Sequence, residues 1–185
     1  MSLWGNDIKP KNLTDAEKKE VFANTKGWVR EAGSILSGNG NTSADPEVLV
    51  AIGGLSANMG SANITELEFI TTAFDKSDGG TLQVRARFNE PVTVTGTPQL
   101  TVTNDQRANH TLSYASGSTT NELVFSLTIG AANAATNAGD ILSIGANAMS
   151  LNGGTVKDTG QSGTNATITN AASIGTAAGT ITVAA

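Results

Sequence analysis

The chain has 185 residues, no cysteine, a single histidine (His110) and a formal net charge of −5. That leaves room for one ordinary domain plus an appendage, and it excludes disulfide scaffolds, thiolate catalysis, Cys-ligated zinc and any site needing two imidazoles within one chain. The acidic balance argues against a nucleic-acid binder held by phosphate contacts, and no apolar stretch approaches the ~20 residues of a membrane span.

The opening, Met1-Ser2-Leu3-Trp4-Gly5-Asn6-Asp7, lacks the basic and apolar regions of a secretory signal. The expectation is a protein that stays in the compartment of its synthesis or is packaged there. Charge divides the chain: residues 1–34 hold six basic groups against five acids, and the remainder five against eleven. Both tryptophans, Trp4 and Trp28, lie in the first part, so an N-terminal region over residues 1–62 is expected to have a different task from residues 63–185.

Thr14-Asp15-Ala16-Glu17 fits a capping box, and Lys26-Gly27 suits a helix end with its left-handed stop. These signals predict one helix over about 15–26. Its apolar face, with Ala16, Val21, Phe22 and Ala23, is poor, so it needs something to pack on. Gly27-Trp28-Val29-Arg30 reads as a short strand, and Ser37–Ser43 as a loop around Asn39-Gly40. Asp45-Pro46 would suit a helix start, but Val48–Ile52 is short, β-branched and bounded by Gly53-Gly54, which favours a buried strand.

From Ile64 onward the pattern is β. Glu66–Ile70 alternates, and in Leu82–Phe88 the residues Leu82, Val84, Ala86 and Phe88 share one face while Gln83, Arg85 and Arg87 share the other. Further strands are predicted at Gln99–Thr103, Thr111–Ala115, Leu123–Ile129, Ile141–Ile144, Thr164–Thr169 and Gly179–Val183. Turn signals separate them at Ser77–Gly80, Thr95–Pro98, Ser116–Ser118 and Asn152–Gly154. The tail Ala171–Ala185 reads equally as a last strand of this chain or as one exchanged with a second copy. The fold class expected is mainly β, an antiparallel β-sandwich behind an N-terminal arm with one short helix.

The run Val84-Arg85-Ala86-Arg87-Phe88-Asn89-Glu90-Pro91-Val92-Thr93-Val94-Thr95-Gly96-Thr97-Pro98-Gln99-Leu100 resembles the bacterial Ig-like repeats of large surface proteins, which read V-x-F-S-E-P-V-x-V-T-G-x-P-x-L. The likeness continues through Leu112–Ser118, Glu122–Leu127 and Ser150–Asp158, and covers roughly residues 66–170. It implies an Ig-like sandwich and carries no catalytic residues. Gly130–Gly139 departs from those repeats, with Ala and Asn where they have an acidic turn. The N-terminal Met1–Asn6, Lys9–Thr14 and Gly27–Arg30 resemble the openings of tailed-phage virion proteins, especially those of marine cyanobacteria. Together the two resemblances imply a virion surface protein whose arm docks on the particle and whose Ig-like domain projects.

Several groups invite a chemical reading beside a structural one. His110 shares parity with Leu112 and Tyr114 and reads as a strand-end residue; no serine lies in a nucleophile elbow. Asp75-Lys76-Ser77-Asp78-Gly79-Gly80 clusters oxygen ligands but lacks the further carboxylates of a calcium loop, so it reads as a turn. Glu66 and Glu68 read as a solvated strand face. Arg85 and Arg87, joined by Arg107, would form a glycan or phosphate patch only with aromatic company, for which Tyr114 is the candidate. Sequons at Asn12, Asn41, Asn63, Asn109 and Asn165 follow from an Asn- and Thr-rich composition.

Leu3, Trp4, Ile8, Phe22, Trp28 and Val29 are the candidate partner interface. Either they form a small local core, or Leu3, Trp4 and Ile8 anchor on a neighbouring subunit, since Trp is enriched at interface hot spots. The resulting expectation is a non-enzymatic virion structural protein, without catalytic residues, metal or cofactor. It would be a capsid decoration or cement protein, made in the host cytoplasm and located on the capsid surface. Its partners would be the major capsid protein or other virion proteins, with self-association as a trimer and host-surface glycans as further partners, and no nucleic acid or membrane insertion. A tail or neck accessory protein and a host-attachment or carbohydrate-binding module are the alternatives.

Overall fold

The computed structural model describes residues 13–24, 26–32, 42–43, 46–51, 61–131, 135–160 and 163–185. The protein is mainly β, with strands arranged in a sandwich-like manner. The chain divides into two compact units, Met1–Ser61 and Ala62–Ala185.

In the first unit the capping box forms as expected. The Thr14 backbone N–H donates to Glu17 Oε2 at 2.9 Å, and the Glu17 N–H donates to Thr14 Oγ1 at 3.3 Å. The helix it starts, α1 (Asp15–Lys18), lasts one turn. The expected helix to residue 26 is therefore corrected: Val21–Asn24 is strand β1, paired antiparallel with β2 (Gly27–Arg30). The physical reason lies in the apolar residues. Val21 and Ala23 alternate onto one face, where pairing packs them against Trp28, while the helical arrangement would offer Phe22 and three small or branched residues nothing to bury against. Gly27, at φ 127°, serves the hairpin rather than a helix end. Strand β3 (Glu47–Ala51) completes the three-stranded sheet in the order β1-β2-β3.

The second unit holds strands β4 (Ile64–Phe69), β5 (Phe74–Asp75), β6 (Gly80–Thr95), β7 (Gln99–Asn104), β8 (His110–Ser116), β9 (Thr120–Ile129), β10 (Ile141–Ser143), β11 (Met149–Ser150) and β12 (Thr155–Asp158). A short helix α2 (Ala172–Ala177) and strand β13 (Thr180–Ala184) follow. The strands neighbour one another in the order β12-β6-β9-β8-β7-β10-β13-β5, with β4 on β6 and β11 on β7. Leu82, Val84, Ala86 and Phe88 all turn into the core, as the alternation predicts, beside Leu67, Leu100, Val102, Leu112, Leu123, Phe125 and Leu142. Fully burying each Val, Leu or Phe among them is worth about 1.5–3 kcal/mol, so this apolar cluster dominates the unit's stability.

One expected strand of this unit is corrected. Thr164–Thr169 is not a strand: it touches its neighbours through single bridges, Asn165 with Lys157 and Thr167 with Asn63. Its alternating residues lie between two separate partners, and neither supplies a ladder. The tail is both helix and strand of this chain. β13 pairs antiparallel with β10 and parallel with β5, so its inward Ile181 and Val183 fill the chain's own core.

Candidate functional site

Strand pairing decides what the candidate interface residues of the first unit do. Phe22 stands opposite Val29, and Val29 opposite Val48, so these three apolar residues are in register across all three strands. Val29 is buried, Phe22 half-buried and Val48 exposed. Trp28 points away from Phe22 and Val29 and is buried with Val21 and Ala23, with Leu13, Leu49 and Val50 packed around them. Trp28 thus belongs to the unit's own small core rather than to an outward anchor. Leu3, Trp4 and Ile8 lie outside the described residues. Val48, on β3, is exposed although its short β-branched run ahead of Gly53-Gly54 reads as a buried strand.

On the sandwich, the arginine face of β6 is a lattice of ion pairs. Register places Glu66 of β4 and Glu122 of β9 on either side of Arg87, and Glu68 beside Arg85. Arg87 Nη1 donates to Glu66 Oε2 at 2.6 Å and to Glu68 Oε2 at 3.0 Å, and its Nε donates to Glu122 Oε1 at 2.6 Å. Arg85 Nη2 donates to Glu68 Oε2 at 2.6 Å. Burial works against the charge on Arg87, but the hydrogen bonds to Glu122 and Glu66 outweigh it and hold its pKa above the ordinary value. Glu66 and Glu68 are accordingly paired rather than solvated, and Arg85 and Arg87 are turned to carboxylates of their own chain instead of an anionic ligand. Arg107 does not join them; its Nε lies 3.2 Å from Asp140 Oδ2.

That second ion pair belongs to a polar cluster where β7, β8 and β10 meet. Asn104, opposite Leu142 in register, and His110, opposite Val102, both face inward and are buried. Asp140 Oδ2 accepts from Asn104 Nδ2 and from the Asn137 N–H, each at 2.9 Å. Desolvation depresses the His110 pKa, partly offset by the charge of Asp140. His110 Nε2 and Thr136 Oγ1 are buried without a hydrogen-bond partner. A general-base role would require a nucleophile hydrogen-bonded to this imidazole, and among the described residues none is. The work visible here is structural: Asp140 and Asn104 tie the segment 135–140 to the end of β7.

The remaining candidates also resolve into turns. Asp75 Oδ1 accepts from both the Ser77 N–H and its hydroxyl at 2.7 Å, an Asx turn, and these bonds lower the Asp75 pKa. The hydroxyl of Tyr114, the candidate glycan platform, accepts from the Ser118 N–H at 2.9 Å, and its ring packs edge-on against Phe125 at 6.2 Å. Among the described residues no group of three or more His, Asp or Glu is placed to hold a metal ion. The carboxylates Glu90 and Asp158 are buried, which no local signal in the sequence announces. In the sequence both belong only to the repeat-like runs.

The fold thus defines the class: a mainly β protein with a sandwich-like unit and a small three-stranded unit before it. No family model, curated protein or solved structure matches this chain.

Proposed function

We propose that this is a non-enzymatic virion structural protein, a capsid decoration protein that docks through its N-terminal unit and projects an Ig-like sandwich. The observation that carries this reading is the first unit's apolar row, in which Phe22 is half-buried and Val48 exposed, on a unit separate from the sandwich. A contiguous apolar row that runs from the interior to the surface of a small sheet is a natural contact for a neighbouring subunit. Binding only the assembled shell would stabilise that shell by mass action. On the sandwich, the arginines and the tyrosine are engaged within the chain, which favours this reading over a glycan-binding patch.

Co-sedimentation with tailed-phage capsids stripped of accessory proteins tests the reading. The full-length chain is expected to sediment with the capsids, a chain of residues 62–185 to stay in solution, and Val48→Asp with Phe22→Ala to bind at least tenfold more weakly. Sedimentation of residues 62–185 alone would move the docking surface to the sandwich. Absence of binding by the full-length chain would remove the capsid assignment and leave the tail or neck position and the host-surface adhesion module.

A further inference from the structure

Glu90 sits where strand β6 changes partner. Arg87 is opposite Glu122 and Val92 opposite Thr120, so four residues of β6 bulge out against the single residue Asn121 of β9. Beyond the bulge, β6 pairs with β12, whose last residue, Asp158, stands opposite Val92. Glu90 and Asp158 are both buried, at 9% and 2% exposure, and Glu90 Oε1 has no hydrogen-bond partner. An ionised carboxylate in that position is desolvated beside a like charge, which is the arrangement in which one of two acids keeps its proton.

Among the described residues, the groups set around Glu90 by register and bridging are neutral apart from Asp158. β9 presents the neutral Asn121 opposite the bulge. From the start of β4 comes Asn63, whose N–H donates to Asn89 Oδ1 at 2.6 Å, and Asn165 and Ala166 follow from the segment bridged to β12. The charge that acts on Glu90 is that of Asp158.

From this geometry we infer that the β6–β12 junction is a proton-gated latch. A proton on Glu90 removes one of two like charges and lets β12 and the following turn grip β6; its loss loosens that grip. Burial, and then the charge of Asp158, raise the Glu90 pKa from the ordinary carboxylate value to about 7, which places the change near neutrality. The sign follows from linkage. A carboxyl with a raised folded-state pKa stabilises fully below its unfolded value near 4.5, and that contribution is lost as pH rises to about 7. Three backbone bonds report on the latch: Thr119 N–H to Val92 O, Thr159 N–H to Pro91 O, and Asp158 N–H to Thr164 O.

The test is amide hydrogen exchange of the full chain at about pH 5 and about pH 8, corrected for intrinsic rates, comparing wild type with the isosteric Glu90→Gln. Wild-type protection at Thr119, Asp158 and Thr159 is expected to fall at least tenfold more than in E90Q, roughly the effect of one pKa unit. Equal losses in the two proteins would overturn the latch. A second readout needs no variant: the Glu90 carboxyl carbon, followed by NMR in wild type, is expected to titrate between about pH 6 and 8. Titration complete below about pH 5.5 would overturn the proposal as surely.

Discussion

Arg87 shows how much a single residue depends on what stands opposite it. Its side chain is 3% exposed and held by Glu66, Glu68 and Glu122. Removing one member of such a buried network leaves uncompensated charge, which costs about 3–5 kcal/mol. Arg87→Ala is expected to lower the urea-unfolding free energy of the sandwich by about that amount. Arg85→Ala, at a more accessible pair, should cost clearly less. The alternation placing Arg85 and Arg87 on one face is plain in the sequence. The acids completing the lattice lie seventeen or more residues away in the chain, and only register brings them level. Tyr114 carries the same lesson: the turn at Ser116–Ser118 is legible in the sequence, but not that its Ser118 N–H engages the Tyr114 hydroxyl.

At the scale of elements, the two helices mark opposite failures of local signals. The capping box at Thr14 is correct to the hydrogen bond, yet it starts a helix of one turn, because strand pairing with Gly27–Arg30 gives Val21 and Ala23 a buried face. Helix α2 has no side-chain cap and little in its sequence to announce it, but it packs on the sandwich. Gly175 is what lets it approach: a Cβ there would run into the carbonyl oxygens of Ile144 and Gly145. Gly175→Ala would raise helix propensity and still destabilise the unit by about 1–3 kcal/mol, the usual cost of overpacking, measurable as a lowered melting temperature. An unchanged or higher melting temperature would show that the helix can shift outward at little cost.

For the whole molecule, two buried groups set opposing pH dependences. The His110 pKa is depressed mainly by burial, so its neutral form stabilises the fold above its unfolded value near 6.5, and that stability is lost as pH falls through the lower folded value. Glu90, with its raised pKa, stabilises on the acid side and loses its contribution on the way to neutrality. Below about pH 6.5, where the two windows overlap, they act in opposite directions, which should flatten the stability profile there. His110→Gln removes one side of this balance. Its stability deficit relative to wild type should therefore shrink between about pH 7 and pH 5 in urea unfolding, and a constant deficit would assign the imidazole no titration in this range.

What the sequence determined by itself was everything written in short-range pattern. The mainly β class, the inward row Leu82, Val84, Ala86 and Phe88, the capping box and most strand positions follow from period-2 alternation, turn residues and local hydrogen bonding. The tertiary structure decided which residues meet. It turned Trp28 into the first unit's own core, left Val48 exposed, closed the arginine face with glutamates, drew the tail back as α2 and β13, and buried Glu90 beside Asp158. The physical reason is that a side chain's charge, exposure and proton affinity depend on neighbours supplied by distant strands, and no local period encodes them.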